Sequence, residues 1–139
     1  MNTFEPLTTY TLEDMDKAAE EFGKYANTDE ILSQASLQVW NLWKEAVSSP
    51  YAVKDSIREI ISDFDGKADE LREISYILSQ ADYAELAEKI TKEDADFFYT
   101  LERKASDFSE KVEDFVYNLK NLIDLIDETV ELFDKLPEF

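Results

Sequence analysis

From Lys92 to Leu136, apolar residues recur in alternating steps of three and four: Phe98, Leu101, Ala105, Phe108, Val112, Phe115, Leu119, Leu122, Ile126, Phe133 and Leu136, with Thr129 the one polar member. A period of 3.5 residues kept over so many turns requires a long helix with one buried seam. At 1.5 Å per residue, a helix over 92–136 is on the order of 65 Å long. No small core surrounds such a rod, so other helices must lie along it. The positions flanking the seam change along its length, from Glu102, Lys104, Ser109 and Lys111 to Val116, Ile123, Leu125, Val130 and Leu132. A narrow stripe suits one partner helix and a wide one suits two or three, so a broader bundle is predicted at the C-terminal end.

The rest of the chain supplies the partners. Residues 1–10 carry Phe4, Pro6, Leu7 and Tyr10 without helical spacing and read as an extended N-terminal arm. Thr11 with Asp14 three residues on is a helix start, followed on one face by Leu12, Met15, Ala18, Ala19 and Phe22. Thr28 opens a second helix, with Asp29 and Glu30 favourably placed against the helix dipole. Its expected core stripe is Ile31, Ala35, Val39, Leu42 and Ala46, beside a second ridge of Leu32, Trp40, Trp43 and Val47. Ser49 as cap and Pro50 in the first turn launch a third helix over about 50–80, on which Val53, Ile57, Ile60, Phe64, Leu71, Ile74 and Leu78 hold register across Gly66. It is read as one helix with room for a bend at Asp65 and Gly66; a break there into two helices is the alternative. A short helix is expected over 82–90. Thr91 then caps the long helix, which Pro137 should stop at Leu136. The predicted fold is all-α: a single domain over 1–139, an elongated helical bundle built on a long antiparallel hairpin (about 50–80 and 92–136), with two shorter N-terminal helices.

Composition supports this and narrows the chemistry. Two Gly and three Pro leave few helix breakers, and 44% hydrophobic residues at helical spacing specify a folded chain despite 34% charge. There is neither Cys nor His. That removes disulfides, thiolate nucleophiles, Ser-His-Asp arrangements and the usual zinc and di-iron ligand sets. Two isolated glycines, Gly23 and Gly66, cannot cradle a phosphate. Paired carboxylates remain for hydrolysis, but a bundle without large loops offers little cleft, so no enzyme activity and no cofactor are expected. Asp63, Asp65 and Gly66 imitate part of a calcium loop, yet the first and last ligand positions fall on Ile61 and Arg72. No apolar run reaches the roughly 18 residues of a membrane span, and the N-terminus lacks a signal-peptide pattern, so a cytoplasmic location is expected.

With 33 acidic residues against 14 basic ones, the net charge is -19. This disfavours nucleic acid and anionic membrane as direct partners and favours a basic protein. The acids of the long helix are the most specific feature. Asp107, Glu110, Glu113 and Asp114, then Asp124, Asp127, Glu128, Glu131 and Asp134, lie on its outer face, with Tyr117 among them. Helix three adds Asp55, Glu59, Asp63, Asp69, Glu70 and Glu73. The stripe on one helix holds about one charge per 4–5 Å, against about 1.7 Å of duplex DNA, so two or three helices would have to contribute to imitate a nucleic acid. By size and composition, and by no residue motif, the chain resembles the small acidic inhibitors encoded by phages and mobile elements. Some of these act as DNA mimics on restriction, CRISPR or repair enzymes. The expected function is a non-enzymatic acidic binding protein, an inhibitor or mimic of anti-defence (anti-CRISPR) type that occupies the basic groove of a nucleic-acid-binding enzyme. The alternative is a structural bundle that self-associates, as a homodimer, through its heptad seam, its acidic surface serving solubility. Trp40 and Trp43 are expected in the core, and Tyr99 and Tyr117 on the surface.

Overall fold

The computed structural model describes residues 11–79 and 91–136. The expected arm over 1–10, the short helix over 82–90, Gln80 and Pro137 lie outside the described residues. Four helices follow in order: α1 (Leu12–Phe22), continued by a 3-10 turn over Gly23–Tyr25, then α2 (Thr28–Trp43), α3 (Pro50–Ser79) and α4 (Lys92–Asp134). Every described element is helical.

The helix starts follow local chemistry. At α1, the Asp14 amide donates to the Thr11 hydroxyl and the Thr11 amide donates back to the Asp14 carboxylate, closing a capping box. At α4, the Asp94 amide donates to the Thr91 hydroxyl at 3.1 Å. Asp29 and Glu30 occupy the first turn of α2, and Pro50 is the first residue of α3. α3 then runs unbroken through Gly66, so neither the break nor a calcium-binding loop occurs at Asp63–Gly66; those residues are helix interior. Lys67 occupies the register position that would be apolar, and the neighbouring Ala68, buried, takes over the contact.

α3 and α4 form the antiparallel hairpin, as successive contacts show. Lys54 meets Asp127, Phe64 meets Phe115 and Ser75 meets Glu102, so the partner on α4 moves back as α3 advances. The described residues pack as two compact units to which both long helices contribute, one from 11–26, 69–79 and 91–109, the other from 27–68 and 110–136. In the first, Met15, Ala18 and Phe22 of α1 are buried, as are Leu71, Ile74 and Leu78 of α3 and Phe98 and Ala105 of α4. The rings of Phe22 and Phe108 stack with centroids 5.8 Å apart, and the Tyr25 hydroxyl donates to Glu70. On the surface of this unit Lys24 pairs with Glu21 at 2.8 Å, which lowers the Glu21 pKa through the hydrogen bond first and the Lys24 charge second. In the second unit, α2 joins the hairpin. Its core is Val39, Ala46, Val53, Ile57, Leu119 and Ile126, and the half-buried Trp43, Phe115 and Ile123 pack against it.

The heptad seam is therefore consumed within one chain as far as Ile126, but the expectation fails beyond it. Phe133 is 53% exposed and Leu136 is 57% exposed. The register explains this: with Lys54 opposite Asp127 and α3 beginning at Pro50, the last turn of α4 has run past the start of its partner. The expected wide arc is also one-sided. Val116 is buried and Ile123 and Val130 half-buried, whereas Leu125 and Leu132, on the other flank, are exposed. Two helices, α2 and α3, cover α4 in this unit, and they fill one flank only. On α2 the second ridge splits as well. Trp43 is half-buried, but Trp40, expected in the core, and Val47 are exposed. In the first half of the seam Ser109, expected among the polar flanks, is buried, its hydroxyl donating to the Ser106 carbonyl at 2.8 Å. α4 itself ends at Asp134, two residues before the expected stop.

A methyl group added at Gly66 would meet nothing within 4 Å, and the residue's φ is not positive. Gly66→Ala should stabilise the protein by about 0.5–1 kcal/mol, read as a raised midpoint in urea unfolding. Phe64→Ala, which empties a buried site and removes the edge-on contact with Phe115 (centroids 5.1 Å apart), should cost about 3–5 kcal/mol in the same measurement.

Candidate functional site

The candidate face is built on α4 because the seam fixes which way each α4 side chain points. With Val112, Val116, Leu119 and Ile126 buried, residues on the opposite side of the same helix must face solvent. Glu110, Asp114, Tyr117, Asp124, Asp127, Glu128, Glu131 and Asp134 are exposed there and Glu113 is half-buried, all in the second unit. Asp107 is also exposed, but it falls in the first unit. Its neighbour Arg103 donates to the Tyr99 hydroxyl at 3.1 Å and lies over the Tyr99 ring. The guanidinium pKa is raised by that hydrogen bond first, with the Asp107 carboxylate adding to it.

Within the second unit the carboxylates fall into two groups. Glu110, Glu113 and Asp114 form one; Asp124, Glu128, Glu131 and Asp134 form the other. Between them stand Tyr117, Asn118, Lys120 and Asn121. The ten steps from Asp114 to Asp124 span about 15 Å of helix. A duplex has no such gap in its charge, so the spacing of acids on α4 is less even than that of a nucleic-acid backbone.

The acids on α3 are differently placed. Asp55 pairs with Arg58 at 3.3 Å, Asp63 with Lys67 at 3.9 Å and Asp69 with Arg72, all within the helix, and Glu70 accepts from Tyr25. Their charge is partly compensated locally, although exposed pairs of this kind are weak. Among the described residues, Asp124, Glu128, Glu131 and Asp134 have no ion-pair partner. Glu131 and Asp134 moreover sit at the C-terminal end of α4, whose last turn holds no basic residue. Carboxylates there oppose the helix dipole, at a cost of about 0.3–1 kcal/mol each.

Asp127 differs from the rest of the stripe. It accepts from the Lys54 ammonium at 2.5 Å, and the Lys54 side chain is only 11% exposed. Sequence spacing missed this because Lys54 follows the core residue Val53 and reads as an ordinary outward lysine. Its aliphatic stem is covered by the bundle, and its ammonium also lies 4.9 Å from the centre of the Tyr51 ring. Asp127 is therefore a structural partner of the hairpin before it is a surface charge.

Among the described residues, no group of three or more carboxylates converges as a metal site, and no helix is long and apolar enough to cross a membrane. Compared with family models, curated proteins and solved structures, the chain matches none. The fold and face together define an acidic all-α helical bundle.

Asp127→Lys would set a second ammonium against Lys54 in a position with little water. With Asp127 itself half-exposed, the expected destabilisation is about 1–3 kcal/mol. Asp124→Lys, Glu128→Lys and Glu131→Lys should each stay within about 0.5 kcal/mol of the parent. Urea unfolding of the four single variants measures both.

Proposed function

We propose that the chain is a non-enzymatic binding protein that presents the outer carboxylates of α4 to the basic groove of a nucleic-acid-binding protein, and so acts as an inhibitor or nucleic-acid mimic. The observation that carries this reading is the uncompensated group Asp124, Glu128, Glu131 and Asp134, fixed on a helix that its seam prevents from rotating. Fixed charges that need no reordering on binding give steering and specificity at small entropic cost. A cytoplasmic setting, where such partners act on nucleic acid, accompanies the proposal. The two groups of acids separated by Tyr117 imply a partner with two basic clusters about 15 Å apart, reached from one helix face.

The test uses the immobilised chain and a soluble extract of the source cells. The parent should retain a nucleic-acid-binding protein at low salt and release it when duplex DNA or RNA is added or the salt is raised, because long-range charge pairing is screened. The triple variant Asp124→Lys, Glu128→Lys, Glu131→Lys, which leaves the Asp127 pair intact, should lose that retention by more than about tenfold with unchanged helix content. If the triple variant holds the same protein as tightly as the parent, the acidic face is solvated surface and the reading fails.

A further inference from the structure

At one end of the second unit, an open groove of about 400 Å³ lies between the end of α2, the start of α3 and the end of α4. Trp43, Val47, Pro50, Val130 and Phe133 make its wall predominantly apolar, and Asp134 stands in its lining. The volume lies in the range of ligand sites, about 300–1,000 Å³. Its wall stays apolar where a monomer gains nothing from exposure: Val47 is 67% exposed and Phe133 53% exposed.

The electrostatics of the groove decide what suits it. α2 ends at Trp43 and α4 at Asp134, so the negative ends of two helix dipoles lie beside it, against one N-terminus, that of α3 at Pro50. Glu131 and Asp134 add full negative charges at the end of α4, neither of them in an ion pair among the described residues, against the single cation Lys135 that follows. An apolar trough with a negative rim selects a ligand that is apolar on one side and cationic on the other. A second copy of this chain is a poor match, because each copy carries a net charge of -19.

We infer that this groove receives a basic amphipathic helical segment of the partner protein, its large apolar side chains seated against Trp43, Val47 and Phe133 and its flanking lysines or arginines paired with Asp134 and Glu131. The mode is the familiar one of a helix laid in a hydrophobic groove, with apolar anchors three and four residues apart. It deepens the reading of the chain as an acidic binder and rests on it, adding an apolar anchor to what charge alone would provide. Anchors of this kind govern dissociation, whereas rim charges govern encounter.

The probe is a fluorescein-labelled peptide of leucines and lysines with its leucines at helical spacing, compared by anisotropy with an oligolysine of equal charge. The leucine-lysine peptide should bind the parent more than about tenfold tighter than oligolysine, and Val47→Arg and Asp134→Lys should each remove that advantage. Both positions are exposed, so each variant should retain its helix content, which circular dichroism checks. The variant Asp16→Lys, exposed on α1 and part of neither the groove nor the α4 face, should retain the preference. Equal affinity for the two peptides, or a preference that survives Val47→Arg, overturns the groove while leaving the acidic-binder reading intact. A dimer in sedimentation that Val47→Arg dissociates overturns it in favour of a second copy. If the groove variants lose the peptide but the double variant Asp124→Lys, Glu128→Lys, which spares Glu131 and Asp134, keeps the cellular partner, the groove stands and the proposed function of the α4 face falls.

Discussion

The contact on which the rest of the structure depends is the antiparallel apolar seam between α3 and α4. Each residue in it is unremarkable alone: Val53, Ile57 and Leu71 on one helix, Val112, Leu119 and Ile126 on the other, all buried. Burying a large aliphatic side chain is worth about 1.5–3 kcal/mol, and a seam repeats that gain every three or four residues. Its geometric effect matters as much as its energy. A helix pinned along one side cannot turn, so each remaining side chain has a fixed direction.

That constraint converts a simple list of acids into a surface. The carboxylates are distributed through both units, so net charge alone singles out neither. What separates the α4 group is compensation. On α3 several acids hold an ion pair with a basic residue three or four positions away, while near the end of α4 Asp124, Glu128, Glu131 and Asp134 form no ion pair among the described residues, although Lys120 and Lys135 stand four positions from Asp124 and Glu131. Lys54 shows the opposite limit. A single ammonium drawn under the bundle is tolerated because Asp127 meets it directly, in keeping with the rule that a charge leaves water only when it is paired.

The ends of helices impose a second constraint. Hairpin partners of unequal reach leave the longer one uncovered, and α4 outruns both α2 and α3 in the second unit. Phe133 and Leu136 lose their cover there, and the same ending brings two helix C-termini beside one apolar trough. An exposed apolar surface and an uncompensated negative one thus arise at the same place from one cause, the mismatch in helix length.

Much of this was legible in the order of residues. The three-four alternation from Phe98 to Ile126, the Thr11 and Thr91 caps and Pro50 specify helices, their starts and their inward faces through interactions within a few residues of one another, which need no knowledge of the rest of the chain. The outward direction of the α4 acids follows from the same periodicity, since a residue opposite a buried stripe has nowhere else to point. What only the tertiary structure decided depends on register between elements far apart in sequence. The heptad continues unchanged through Phe133 and Leu136, and nothing local says that α3 begins too late to cover them. Trp40 and Trp43 are equivalent in pattern, yet packing half-buries one and exposes the other. Lys54 and Asp127 are 73 positions apart, and their meeting separates Asp127 from the charges around it. Periodicity states which face of a helix is apolar; the reach and number of the helices laid against it decide how much of that face is buried.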